Sequence, residues 1–501
     1  MTVQQQAGTE NEKAYGYQGA EGAWTITKDE FEGHKGFSSD LPSCAGSWRE
    51  IPINFTYTFD SNGDVTGTQT YTRKTFPSTG YTGWIGGAVG QDGKIYCGRH
   101  SERGFLIIDP DVGKAYTWGA PGAQQNQQES GMVSHPNGKI YTCPASGGGI
   151  YELDPLNKTY YRWYPGFSTG FEVGQTVGGS IYPVQKFCNG VVAPNNNCIY
   201  YIPDGADKIL KVDPSTRTQT EIGTACPYQG FEPTSTNYYT VNLTGRHKYI
   251  QGVLGKDGNI YMIGNTANNP RISKIDPRTD TVTWNHVEYS GNLYAYNVGQ
   301  AGVIADAVGN DLQRYWSSAV AGPDGLIYLI PDQYPWIYTY DPTASGADRL
   351  VPQMGSTTTV NGNNMQVAAV GTVNYTGSGS FANDDQKTCG AVVGADGNIY
   401  CGPEKTGAKI LKIYTGRNKY NVGVNPSGAN PVNYGWEFID LEGWTGSYDG
   451  FHSAVLAPNG HMYLVPGDTK SSPAPQGVVE VHLGTASKPA PWTYGPYITA
   501  K

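Results

Sequence analysis

A single phrase recurs seven times along this chain: a short strand of small and apolar residues, a tight turn, then Ile-Tyr or Met-Tyr. The copies are GAVGQDGKIY (87–96), MVSHPNGKIY (132–141), VVAPNNNCIY (191–200), GVLGKDGNIY (252–261), AVAGPDGLIY (319–328), AVVGADGNIY (391–400) and AVLAPNGHMY (454–463). Their turns are Asp92-Gly93, Asn137-Gly138, Asn196-Asn197, Asp257-Gly258, Asp324-Gly325, Asp396-Gly397 and Asn459-Gly460. Asn, Asp and Gly tolerate left-handed backbone best, so the pattern predicts two-residue type I′ hairpins with positive φ at both central positions. A chain that repeats one hairpin at intervals of 45 to 72 residues must stack it against its own copies.

A second phrase follows most copies, an alternating apolar strand ending in Asp-Pro: FLIIDP (105–110), IYELDP (150–155), ILKVDP (209–214), ISKIDP (272–277) and IYTYDP (337–342). Copy six keeps the strand as KILKIYT (409–415), and copy seven reads VVEVHLG (478–484). Proline has no N–H for a ladder and presets a turn, so Asp-Pro ends one strand and opens the next connection. A further strand follows, as in KAYTWG (114–119), TYYRWY (159–164) and TVTWNH (281–286). Each unit therefore reads as a four-stranded antiparallel meander.

Seven meanders in series predict an all-β fold, a seven-bladed β-propeller, with blades near 81–126, 127–184, 185–246, 247–312, 313–386, 387–449 and 450–501. Residues 1–80 precede the repeats and read as an N-terminal arm. It carries a β-hairpin over 53–73 with Asn62-Gly63 at its tip. Either this arm or PWTYGPY (491–497) is expected to supply the strand that closes the ring. Long connections at 164–186, 224–248, 286–315, 343–387 and 420–450 are rich in Gly, Asn, Tyr and Thr. Connections of this length are expected to be contact surfaces.

Composition narrows the class further. Charged residues are 15% of the chain and the net charge is −9, with no basic stripe, so no nucleic-acid partner is expected. No apolar run is long enough to span a membrane, and the first residues carry no secretory pattern. The eight cysteines form no C-x-x-C and no zinc spacing, so buried free thiols are expected, with no metal or other cofactor.

In propeller enzymes the chemistry sits where the innermost strands enter the central channel. Counting eleven residues back from each final tyrosine gives Ile85, Ser130, Asn189, Ile250, Ser317, Cys389 and His452. Ten back gives Gly86, Gly131, Gly190, Gln251, Ser318, Gly390 and Ser453, and Glu129 lies just outside both rings. The blade phrase resembles the NHL-type propellers and the virginiamycin B lyase family, which repeat a D-G-x-I-W/Y hairpin before an I-D-P-type strand. The resemblance covers about 81–484 and implies a propeller. Lactonase-like relatives would hold a divalent metal with Glu, Asn and Asp on the innermost strands, and only Asn189 is of that type. The lyase resemblance implies a channel histidine with an acidic partner, for which His452 and Glu129 are the candidates. Cys389, on the strand beside His452, is the candidate nucleophile.

Neither ring holds a carboxylate, so the sequence points away from an enzyme. What remains is surface chemistry. Tyr238, Tyr239, Tyr294, Tyr334, Trp336 and Trp444 lie in the connections, and such side chains give rigid amphipathic contact area. Low charge and Gly/Asn/Thr/Tyr-rich β structure resemble phage virion proteins, tail or capsid accessory components. The expectation is a non-enzymatic binding propeller in a virion, made in the host cytoplasm. Its partners would be other virion proteins or a host-surface glycan or protein, with homo-oligomer formation inside the assembly. The alternatives are a propeller lyase or lactonase acting on a small cyclic substrate, and a cytoplasmic scaffold.

Overall fold

A computed structural model of the protein describes residues 45–55, 83–99, 104–118, 129–145, 149–163, 186–227, 248–264, 271–288, 316–331, 337–344, 350–352, 388–403, 409–415, 436–441, 451–467 and 477–484. It also describes the short strands 4–5, 24–25, 58–59, 65–67, 71–72, 176–177, 180–181, 358–360 and 363–365. Among these residues no helix is long and apolar enough to cross a membrane.

The architecture is all-β, a propeller ring of four-stranded antiparallel sheets. Five sheets stand as separate four-stranded units, spanning 129–163, 187–222, 249–288, 316–352 and 388–440. Seven separate sheets were expected. The first and last repeats instead share one nine-stranded sheet, because the strand Trp48–Phe55 hydrogen-bonds to both. It runs antiparallel to Gly477–Val481, in register Arg49↔Glu480 and Ile51↔Val478. Its far end lies parallel to Lys114–Trp118, in register Ala115↔Ile53. The arm therefore supplies the closing strand; PWTYGPY lies outside the described residues. Of the expected hairpin, Thr58–Phe59 pairs with Val65–Gly67, and its tip is outside the described residues.

The innermost strands, Trp84–Val89, Glu129–Ser134, Phe187–Val192, Tyr249–Leu254, Trp316–Ala321, Thr388–Val393 and Phe451–Leu456, pack side by side in chain order, and the last returns to the first. The core lies between the sheets. Ala88, Tyr96 and Ile107 meet Met132, Ile140 and Leu153, for example, and Ile250 and Ile263 meet Trp316 and Leu329. Each fully buried Ile or Leu is worth about 1.5–3 kcal/mol, so these sandwiched layers carry the ring.

The repeated turn departs from the expected type I′. Gly90 N–H donates to Lys94 O and Gly93 N–H to Gly90 O, a three-residue loop that recurs in the other Gly copies at 135–139, 255–259, 322–326, 394–398 and 457–461. Only the second turn residue is left-handed, from +78° at Gly258 to +84° at Gly138, with Asn197 at +57°. The Asx side chain explains the difference. Its Oδ1 accepts the N–H two residues on, as Asn137 does from Lys139 (3.0 Å) and Asp324 from Leu326 (3.1 Å). That bond holds Asx in a type I turn and leaves the αL step to the next residue.

The same Asx reaches the repeat's tyrosine in every copy. Tyr96, Tyr261, Tyr328 and Tyr400 donate to Asp92, Asp257, Asp324 and Asp396 at 2.6–2.9 Å. In the Asn copies the amide donates instead, from Asn137 to Tyr141, Asn196 to Tyr200 and Asn459 to Tyr463, at 2.8–2.9 Å. The hydroxyl proton then needs another acceptor. A carboxylate from outside the turn takes it in two of the three: Asp280 for Tyr200 (2.7 Å) and Glu480 for Tyr463 (2.9 Å). In six of the seven copies the tyrosine hydroxyl thus meets a carboxylate.

Candidate functional site at the centre of the ring

All seven innermost strands carry a register irregularity near their start, between Ile85 and Ala88, Glu129 and Met132, Phe187 and Asn189, Tyr249 and Gln251, Trp316 and Ser318, Thr388 and Ala391, and Phe451 and Ser453. A bulge re-aims the side chain it carries and is frequent beside binding sites. The extra residues include Ser130, Cys188, Ile250, Ser317, Cys389 and His452. A fixed count back from the tyrosine misses this in two strands: Asn189 pairs with Ile202 while Cys188 is the extra residue, and Ile85 pairs with Gly98 while Gly86 and Gly87 form the bulge.

The polar groups of this ring join one blade to the next. Gly86 N–H donates to Ser453 Oγ (2.7 Å), and Ser134 Oγ donates to Val89 O (2.7 Å). Ser130 Oγ donates to Phe187 O. Asn189 bridges to Gly252, accepting its N–H at 2.9 Å and donating to its carbonyl at 3.4 Å. Gln251 Oε1 accepts from Ala319 N–H (3.1 Å), and Ser317 Oγ lies 2.6 Å from Thr388 Oγ1. Asn189, the one residue of metal-ligating type, is thus engaged with a neighbouring backbone. Among the described residues no group of three His, Cys, Asp or Glu side chains could hold a metal ion.

Glu129 is buried (2% exposed) and held by Arg99. Nη2 lies 2.6 Å and Nε 3.0 Å from its two oxygens, and Arg99 N–H adds a 3.2 Å bond. Arg99 also lies over the Tyr151 and Phe105 rings, 4.8 and 5.3 Å from their centroids. Burial alone would lower the guanidinium pKa, but Glu129's charge outweighs it and holds Arg99 above its ordinary value. The pair ties Arg99 of the first repeat to Glu129 of the second. His452 sits in the last bulge, partly exposed, with its ring against Gly467, where a Cβ would strike it. Cys389 lies in the bulge of the neighbouring strand. Tyr238, Tyr239, Tyr294, Tyr334, Trp336 and Trp444 all fall outside the described residues. Six cysteines, Cys97, Cys143, Cys188, Cys198, Cys226 and Cys401, are buried free thiols; burial raises the thiol pKa of Cys97 and Cys401.

Two polar centres escaped the reading of the sequence. Arg99 has no counterpart in the repeat phrase and was invisible as Glu129's partner. The second centre lies where the ring closes. Glu480 (0% exposed) accepts from Arg49 Nε (2.6 Å), His461 Nδ1 (2.8 Å) and Tyr463 OH (2.9 Å). Its signal was there to see: VVEVH replaces Asp-Pro, and His461 replaces the usual Lys or Asn.

No protein-family model and no curated protein matches the chain. Similar solved structures include a streptogramin B lyase, 13% identical over 82% of this chain and 97% of that one, with a TM-score of 0.47. A virginiamycin B lyase from Staphylococcus aureus, with quinupristin, is 10% identical over 81% and 96% (TM-score 0.46). A hydrazine synthase from Kuenenia stuttgartiensis is 12% identical over 79% and 95% (TM-score 0.45). Similarity at this level carries no residue's role across.

Proposed function

We propose that this chain is a non-enzymatic, seven-bladed structural propeller of a phage virion that makes protein–protein contacts in its assembly. The observation that carries this reading is the engagement of the central polar residues. Ser130, Asn189, Gln251, Ser317 and Ser453 bond blade to blade, and Glu129 is clamped by Arg99. A channel whose polar groups brace its own wall suits a rigid scaffold. The count of seven is supported by seven innermost strands in a closed circuit and seven apolar clusters among the described residues. On that count the nine-stranded sheet is blades one and seven joined by the closing strand. Residues 1–80 are then a docking arm that also lends this strand, and 81–501 the ring.

The virion assignment rests on composition: a charged fraction of 15%, 68 glycines and 37 tyrosines. The contact residues proposed are Tyr238, Tyr239, Tyr294, Tyr334, Trp336 and Trp444 in the inter-blade connections. The test pairs two assays on the purified full chain. Screening against lactones and cyclic depsipeptides is expected to show no turnover, and antibody against the chain is expected to label intact virions. Turnover that is lost in His452→Ala would overturn the reading in favour of a lyase or lactonase. Binding to a host glycan without virion labelling would replace assembly by attachment.

A further inference from the structure

The closing strand is hydrogen-bonded to both the last repeat and the first. Its backbone ladder to Gly477–Val481 continues beyond the strand, where His482 N–H donates to Ser47 O (2.9 Å) and Gly46 N–H donates to His482 O (3.0 Å). His482 is thus the residue to which the entering chain is stapled. Its imidazole is 6% exposed, and Nδ1 accepts the Gly484 N–H at 2.9 Å. A backbone N–H can only donate, so this bond requires a free lone pair on Nδ1. An imidazolium has none.

The surroundings add a second constraint. The His482 ring lies edge-on to His461, with centroids 4.8 Å apart and an interplanar angle of 64°. His461 faces Glu480, which Arg49 of the closing strand and Tyr463 also face. The charged and titratable groups here are therefore Arg49 on the closing strand, His461 and Tyr463 on the hairpin, and Glu480 and His482 on the strand between. One carboxylate already serves Arg49. Charging both histidines would place three cations around it, in a space almost closed to water.

We propose that the strand Trp48–Phe55 is an acid-released clasp, with Glu480 as its anchor and His482 as its trigger. At neutral pH the uncharged His482 accepts from Gly484, and Arg49 is tied to Glu480. Protonation of His482 breaks the Gly484 bond and sets a cation beside His461, which loosens the Gly46–Ser47 staple and frees the strand.

The direction of titration agrees. Burial first, and then His461's charge, lower the His482 pKa, so the unfastened chain binds the proton more readily. The stability this group lends is present above the ordinary histidine pKa of about 6.5 and is lost as pH falls below it. Burial raises Glu480, but the bonds and charges of His461 and Arg49 outweigh it and leave the group low. Its share of the stability persists until pH falls below the ordinary carboxylate range.

Hydrogen exchange on the full chain tests this. Between pH 7.5 and 5.5, after correction for intrinsic rates, amides of residues 48–53 are expected to exchange faster as His482 takes up its proton. Amides of residues 199–203 should not change. His482→Gln keeps an acceptor without the charge and is expected to abolish the pH response. Equal pH dependence of the two segments overturns the proposal, as does a response that survives in His482→Gln. If that variant does not fold, the His482 ring titration in the unaltered protein decides. Its midpoint must coincide with release of the strand, and a separate midpoint refutes the trigger.

Discussion

Replacing Asn459 with Asp tests the rule of one carboxylate per tyrosine hydroxyl. Asn459 Nδ2 donates to Tyr463 OH at 2.9 Å, and that hydroxyl donates to Glu480 Oε1 at 2.9 Å. Asn459→Asp leaves one proton between two carboxylates, no more than about 6 Å apart given two hydrogen bonds of this length. With an effective dielectric of about 20, two unit charges at that separation repel by about 3 kcal/mol. Loss of the amide donor adds about 1 kcal/mol. Asn459 is partly exposed, which trims the repulsion, so the expected loss at pH 7 is about 2–3 kcal/mol. The pair cannot both ionise freely, so one of its two apparent pKa values is raised. A raised carboxyl makes the penalty largest at neutral pH and smaller as pH falls towards 5. Urea unfolding followed by circular dichroism, run as a double-mutant cycle with Glu480→Gln, separates this repulsion from the loss of the Arg49 bond. The reasoning is refuted if the Asn459→Asp penalty is independent of pH, or is unchanged in the Glu480→Gln background.

Four further outcomes follow from the same geometry. Asn137→Asp should cost less than about 1 kcal/mol by the same unfolding assay, since Asn137 is exposed and Tyr141 hydrogen-bonds no second carboxylate. Tyr328→Phe should lose about 1 kcal/mol and leave Asp324 without its 2.6 Å donor; no change in the urea midpoint would count against the tyrosine–Asx bond. Arg99→Met should lose about 3–5 kcal/mol by stranding the buried Glu129, and Arg99→Met with Glu129→Leu should recover most of it, as judged by thermal unfolding. Gly325→Ala should destabilise by about 1–2 kcal/mol, because φ there is +79° and a Cβ would also strike the Lys256 side chain; a Tm equal to wild type would refute the strain.

The parts of this fold that were legible in the sequence are those set by residues close together in the chain. Asp257, Gly258 and Tyr261 lie within five positions, and together they specify the turn, its αL step and the hydroxyl bond. The turn type was misread for a related reason. Propensity alone permits positive φ at Asp or Asn, whereas the side-chain bond to the N–H two residues on is a competing local interaction that selects the type I turn. Closure was legible only as two alternatives. Trp48–Phe55 carries no repeat phrase, and its partner strand is some 430 positions away, with Arg49 and Glu480 separated by 431. Nothing local can specify such a pairing.

The candidate site shows the same limit in a sharper form. Counting a fixed distance from the tyrosine assumes an unbroken ladder, and each innermost strand breaks it once. The count found His452, Ser317 and Cys389 because their bulges fall at the counted position, and it took Asn189 where Cys188 is the extra residue. What the count could not supply was a reason for polar residues at a crowded centre. Innermost strands that break their ladders leave backbone groups that face a neighbouring sheet instead of a ladder partner, and a buried N–H or C=O left unpaired costs about 1–3 kcal/mol. Ser453 to Gly86, Ser130 to Phe187 and Asn189 to Gly252 meet that need one junction at a time. Where the ring closes, backbone cannot be continuous. There the Ser453 hydroxyl on the inner strand is joined by a carboxylate further out, Glu480, which collects donors from both sides of the seam. A seam tied by charge answers to pH in a way that hydroxyl–carbonyl junctions do not. That contrast is why the exchange of residues 48–53, measured against that of 199–203, discriminates between a passive closure and a clasp.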